Sequence, residues 1–220
     1  MSTKKIRVLC VDDHAFLAEG LRSKISLEQD MEYVGWLPDA TDLVKEAQER
    51  EADIITLDIE MPGPDPFDSL TEVQRRAPEI RVIVLSAHVR DRYLDAAVEA
   101  GAWGFLSKAD DPDTIVHAIR KVAGGEFALG PSVEGRLPLD DIRPGQKTAR
   151  MQSRSNLLTN REQQVLRMIG RGMSRHEIAK ELFRSSKTID AHQQSIMKKL
   201  DLHDRVELVR YAIREGLVEP

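Results

Sequence analysis

A chain of 220 residues and 24.8 kDa suits two small domains. With 41% apolar and 31% charged residues, its composition excludes a wholly disordered, collagen-like or membrane-embedded protein. The formal net charge of -5 is unevenly divided: residues 1–125 carry 15 Lys and Arg against 24 Asp and Glu, net -9, and residues 126–220 carry 17 against 13, net +4. An acidic half suits metal or phosphate chemistry through Mg²⁺, and a basic half suits nucleic acid.

Apolar runs such as Val82 to Leu85 fall far short of the ~20 residues of a membrane span. The stretch from Met1 to Arg7 lacks the apolar core of a signal peptide, so the expectation is a soluble, cytoplasmic protein. The single cysteine, Cys10, excludes an intrachain disulfide and a cysteine zinc cluster, and its apolar surroundings suggest an inert core thiol.

In the first half, short β-branched runs alternate with amphipathic stretches of helix length. Strands are predicted at Ile6–Val11, Tyr33–Trp36, Ile54–Leu57, Val82–Leu85 and Trp103–Leu106. Helices are predicted at His14–Glu28, Thr41–Glu49, Phe67–Arg76, Asp91–Ala100 and Pro112–Val122. This alternation predicts an α/β doubly wound sheet of five parallel strands, with helices on both faces and a ligand crevice at the carboxyl ends of the strands.

The residues at those ends define the expected chemistry. Asp12 and Asp13 follow the first strand, Asp58 the third and Ser86 the fourth, and Lys108 follows the fifth. Singly, each has an ordinary reading as a helix cap or a solvated loop charge; together they converge on one rim. Three carboxylates there repel one another unless a cation sits among them, and Mg²⁺ accepts carboxylates while leaving positions for water and phosphate oxygens. With Lys108 and the Ser86 hydroxyl on the other phosphate oxygens, an ionised carboxylate can act as nucleophile and become an aspartyl phosphate.

Val11-Asp12-Asp13-His14, Leu57-Asp58-Ile59-Glu60-Met61-Pro62-Gly63, Leu85-Ser86-Ala87 and Gly101-Ala102-Trp103-Gly104-Phe105-Leu106-Ser107-Lys108 resemble the motifs of a flavodoxin-like response-regulator receiver domain. The resemblance implies Asp58 as phosphoacceptor, with Asp12, Asp13, Asp58 and the Glu60 backbone carbonyl placing Mg²⁺. Ser86 and Phe105 then match the switch positions, and Lys108 the phosphate-sensing lysine. Pro64-Asp65-Pro66 departs from the usual Met-Asp-Gly type of turn, and two prolines stiffen it.

Residues 126–155 lose periodicity. They hold Pro131, Pro138 and Pro144 with Gly130, Gly135 and Gly145, and read as a linker that is either mobile or contains a short helix. From residue 156 onward, Thr159 with Glu162, Ser174 with Glu177 and Asp204 with Glu207 have capping-box spacing, and Ser185 or Ser186 opens a further helix. Buried stripes are expected from Val165, Met168 and Ile169; Ile178, Leu182 and Phe183; Ile189, Ile196 and Leu200; and Leu208, Val209, Ala212 and Ile213. An all-α four-helix helix-turn-helix domain over 156–220 is predicted, the turn lying around Arg184–Ser186. On its third helix Lys187, Asp190, Ala191, Gln194 and Lys198 share the face opposite the apolar stripe, and residues 150–214 carry 14 basic against 7 acidic side chains. That suits DNA.

Leu158-Thr159-Asn160-Arg161-Glu162, Gly172-Met173-Ser174, Glu177-Ile178-Ala179, Lys187-Thr188-Ile189-Asp190-Ala191-His192 and Ile196-Met197-Lys198-Lys199-Leu200 are similar to the LuxR-type DNA-binding domain. Receiver over 1–125 plus this domain resembles the NarL/FixJ group. The resemblance implies a transcription regulator gated by aspartyl phosphorylation, with a sensor histidine kinase and promoter DNA as partners and a homodimer when phosphorylated. DNA contacts are expected from Lys187, Thr188, Asp190, Ala191, Gln194 and Lys198. Asp190 stands where many members have lysine and Asp201 where many have glycine; an aspartate there can accept from cytosine N4. The alternatives are a phosphatase with an aspartyl-phosphate intermediate, for which Glu60 has the spacing of a general acid, and a phosphorylation-independent regulator.

Overall fold

A computed structural model describes residues 4–134 and 157–218. They group into two compact units, one drawn from residues 1–87 and 96–151 and the other from 88–95 and 152–220.

In the first unit every strand pairs in parallel, in the order β2-β1-β3-β4-β5-β6. The strands are β1 (Ile6–Val11), β2 (Met31–Leu37), β3 (Ile54–Asp58), β4 (Arg81–Ser86), β5 (Gly104–Ser107) and β6 (Ala128–Leu129). β3 and β5 are buried throughout, as a parallel sheet covered on both faces requires. The helices are α1 (Ala15–Ser26), α2 (Leu43–Glu49), α3 (Pro66–Arg76) and α5 (Pro112–Ala123), while α4 (Asp91–Ala100) has its first residues grouped with the second unit and its last with the first. One core cluster joins Val8, Cys10 and Ile83 of the sheet to Leu21 and Ile25 of α1 and Ile115, Ile119 and Val122 of α5. Cys10 is buried, and that burial pushes its thiol up to about 11.

Among the described residues the sheet has six strands rather than five. β6 falls in the stretch expected to be irregular, and it is only two residues long, pairing Ala128 with Gly104 and Leu129 with Phe105. The glycine admits it: a Cβ on Gly104 would stand 2.9 Å from the Ala128 carbonyl oxygen. The rest of the expected linker, residues 135–155, lies outside the described residues. Pro64-Asp65-Pro66 proves to be a helix start, since the Asp65 carboxylate accepts from the backbone N–H groups of Phe67 and Asp68 and Pro66 occupies the first helical position.

In the second unit α6 (Asn160–Gly170), α7 (Arg175–Glu181), α8 (Ser186–Leu200) and α9 (Arg205–Arg214) enclose Val165, Leu166, Ile169, Ile178, Ile189, Ile196, Leu200 and Leu208. Full capping boxes close the starts of α6 and α7. Ser185, not Ser186, caps α8. At α9 Asp204 caps Glu207, but the Glu207 carboxylate accepts from the backbone of His203 rather than from its capping partner.

Three residues depart from the expected pattern. Phe183 is 89% exposed instead of buried, because it takes the left-handed turn between α7 and α8 at φ 52°. Asp201 ends α8 at φ 54°, the conformation for which glycine is the ordinary choice and which aspartate tolerates better than most L residues. Tyr211, outside the expected stripe, is buried, and its hydroxyl donates to the Asp91 carboxylate within this unit at 2.7 Å. Burial, then the charge of Asp91, pushes that phenol well above its ordinary range.

Candidate functional site

The order of strands reverses between β1 and β3, where a doubly wound sheet opens its crevice. Asp12 leaves β1 there and Asp58 ends β3, each only 1% exposed. The Asp12 carboxylate accepts from the backbone N–H of His14 at 2.8 Å, and its own carbonyl accepts from the Trp36 indole at 2.7 Å. Asp58 accepts from the backbone N–H of Glu60 at 2.9 Å on one oxygen and from the Lys108 ammonium at 2.6 Å on the other.

Lys108 also donates to Asp12 Oδ1 at 2.9 Å, so one ammonium bridges the two buried carboxylates. Burial works against that charge, but the hydrogen bonds to Asp12 and Asp58 outweigh it and hold Lys108 above the ordinary lysine value. The backbone of Lys108 is fixed as well, its N–H donating to the Ser86 carbonyl at 2.9 Å. Ser86 is fully buried, with its hydroxyl 3.5 Å from Glu60 Oε2. Asp13 stands at the mouth, 2.6 Å from the His14 ring.

Asp12, Asp13, His14 and Asp58 can each offer a ligand atom, all within 4.8 Å of one another. Asp12 Oδ2 lies 2.8 Å from the Lys108 ammonium yet outside hydrogen-bond geometry, so among the described residues this buried oxygen accepts no hydrogen bond. With one internal cation against three carboxylates, a hard divalent cation fits the donor set. His14 escaped the sequence argument as a neighbour of the cluster. So did Asp110, whose carboxylate accepts from the Ser107 backbone and holds the turn after β5. Phe105, at the expected switch position, is already fully buried, paired along the sheet with Val84 and Leu129.

On α8 the side chains of Lys187, Ala191, Gln194 and Lys198 form an exposed stripe, as their spacing requires. Thr188 is half-buried and its hydroxyl shares a 2.8 Å hydrogen bond with that of Ser185, which commits it to the helix start. Asp190 faces Arg175 of α7, and His192 is half-buried. Behind the stripe, buried Glu162 accepts from Lys199 and Ser195 of α8 at 2.7 Å each, and from the Thr159 backbone at 2.7 Å. Burial alone would raise this carboxyl; those hydrogen bonds overcome it and hold its pKa down at about 2. A capping glutamate thus also locks α8 to α6, a role its spacing alone does not disclose.

A family model of the response regulator receiver domain matches residues 8–120, and one of bacterial regulatory proteins of the luxR family matches residues 156–212. The chain belongs to the response regulators. It is similar to the response regulator protein VraR of Staphylococcus epidermidis, 31% identical over 217 residues that cover 97% of this chain and 99% of that one. It is also similar to YxjL, an uncharacterized transcriptional regulatory protein of Bacillus subtilis, 29% identical over 219 residues and the full length of both. Among solved structures it matches the two-component response regulator RcsB in a DNA complex, with TM-score 0.65 and 26% identity over 96% of this chain and 99% of that one.

This response regulator therefore joins a receiver to a LuxR-type DNA-binding domain, the arrangement of a transcriptional regulator in a two-component system. Its family is one of DNA-binding response regulators. Among the described residues no helix is long and apolar enough to cross a membrane.

Proposed function

We propose that a sensor histidine kinase phosphorylates this response regulator on Asp58 in the cytoplasm, and that the modification gates dimerisation and promoter binding. In this reading the receiver spans 1–125, the linker 126–155 and a four-helix DNA-binding domain 156–220. The observation that carries the reading is the Lys108 ammonium held between Asp58 and Asp12 at the carboxyl ends of the strands.

Asp12, Asp13, Asp58 and the Glu60 carbonyl are the residues that would hold Mg²⁺, which supplies neutralisation of phosphoryl oxygens. Asp58 forms the new bond to phosphorus as the phosphorus–nitrogen bond to the kinase histidine breaks; the electron pair stays on the imidazole nitrogen, which takes up a proton. Lys108 moves its hydrogen bond from the carboxylate to a phosphoryl oxygen, and Ser86 donates to another. That rearrangement draws Ser86 away from Glu60, and, with Phe105 already inside, the change reaches the surface through β4 and β5.

At the other end, Lys187, Ala191, Gln194 and Lys198 supply an exposed DNA face, with Thr188 and Asp190 at its margin. Leu208 and Ala212 are in the core and Val209 packs against it, which leaves Val206 and Ile213 as the apolar residues of α9 available for pairing two DNA-binding domains. Acetyl phosphate with Mg²⁺ is expected to add one phosphoryl group, shift the chain toward a dimer in sedimentation, and tighten DNA binding some 5- to 150-fold, the range of a typical coupling. Ser86→Ala should accept phosphate without that gain. Equal DNA affinity and equal oligomeric state with and without the phosphodonor would overturn the gating.

A further inference from the structure

The recognition helix carries a carboxylate beside its DNA-facing stripe, one turn from Lys187 and one from Gln194. Asp190 Oδ2 lies 3.4 Å from Nη1 of Arg175, the first residue of α7, and the two side chains are 42% and 55% exposed. A pair this open to solvent does little for stability. The neighbouring contact, however, pins the same two elements: the His176 ring, through Nδ1, and the Ser186 hydroxyl lie 3.0 Å apart, joining the start of α7 to the start of α8. Arg175 makes no other hydrogen bond among the described residues, and its side chain is more than half exposed, which leaves most of the five donors of its guanidinium unused by them. In a helix-turn-helix the first helix of the motif crosses the DNA backbone, and α7 is that helix.

We propose that Arg175 is a phosphate contact and that Asp190 is its positioning residue rather than an independent reader of cytosine. The carboxylate orients the guanidinium, and the guanidinium in turn cancels the repulsion that an isolated aspartate would exert on the phosphates. This rests on the reading of α8 as the DNA face, and it explains how an acidic residue is tolerated where phosphate approaches. Spacing along one helix does not reveal it, since the partner lies 15 residues away on another.

The test uses the full chain, a duplex selected by that chain from a randomised library, and an unrelated duplex. Arg175→Ala should weaken binding to both several-fold and make the log–log salt dependence shallower by about 0.9, the contribution of one phosphate contact. Arg175→Lys should keep the slope. Asp190→Ala should weaken binding in the wild-type background and strengthen it in the Arg175→Ala background, because there the carboxylate is left uncompensated. An effect of Asp190→Ala that is the same in both backgrounds, or a change of base preference at one position in both, overturns the pairing, as does an Arg175→Ala chain with unaltered slope. Lys198→Ala and Gln194→Ala serve as controls. If both bind like wild type, the DNA face itself is misassigned and the proposal falls with it; if they weaken binding while Arg175 and Asp190 act additively, the pair alone is refuted.

Discussion

The acidic pocket and the α8 face proposed for DNA pose opposite electrostatic problems. In the pocket, Asp12 and Asp58 are almost wholly buried and share one ammonium, so the charges are preorganised and costly to disturb. On α8, Lys187, Ala191, Gln194 and Lys198 stand in water, where a charge costs little to hold ready and gains strength only when a partner displaces solvent. A site that receives a covalent group needs fixed geometry around one atom. A site that reads a long polymer needs an accessible surface whose backing is rigid, and the Glu162 lock supplies that backing.

The largest expected effect breaks the first side of this comparison. Asp58→Asn should abolish incorporation of phosphate from acetyl phosphate, read as loss of the adduct by intact mass; persistence of one adduct at another residue would refute the assignment. Next, Lys108→Met leaves two buried carboxylates without their cation. A loss of about 3–5 kcal/mol in urea unfolding of the receiver is expected, in line with removing one partner of a buried pair. Added Mg²⁺ should restore part of it, as any ligand of the native state does. An unchanged midpoint would mean that the bridge is not structural.

The second side has its own buried charge. Glu162 sits at about 2 in the folded chain against an ordinary 4.5, so it stabilises the helical unit fully above pH 4.5 and loses that contribution as pH falls from 4.5 toward 2. The whole window is worth on the order of 3 kcal/mol. Glu162→Gln should lower stability at pH 7 by that order and flatten this acid limb, measured by circular dichroism at a series of pH values; an acid limb identical to that of the unaltered chain would show the lock to be weak. The smallest effects belong to the exposed stripe. Gln194→Ala should change affinity by roughly 1–3 kcal/mol at particular base pairs, and Lys198→Ala should weaken all sequences alike with a shallower salt dependence. Finding the two roles exchanged would place the base contacts on a different part of the face.

Much of this was legible along the chain. β-branched runs and their spacing placed β1, β3 and β4 to within a residue, because a parallel strand buried on both faces admits little else. Thr159 with Glu162 and Ser174 with Glu177 announced helix starts that the structure shows as full capping boxes, because those bonds close within four residues. The convergence of Asp12, Asp58 and Lys108 followed from strand topology, a consequence of connection rules that hold across doubly wound sheets.

What the chain did not disclose depends on partners distant in sequence. β6 has too few residues to show a period, and it exists because β5 offers an edge at Gly104 with no side chain in the way. Phe183 has the hydrophobicity of a core residue, yet the left-handed turn that joins α7 to α8 points it to solvent. Glu162 reads as a cap and becomes a buried lock only when Ser195 and Lys199 arrive from α8. Local sequence thus determined the elements and the residue types at the ends of strands, since periodicity and capping act over a few residues. Tertiary structure alone decided which charges meet, because an ion pair or an added strand draws its stability from groups that the chain must first bring together.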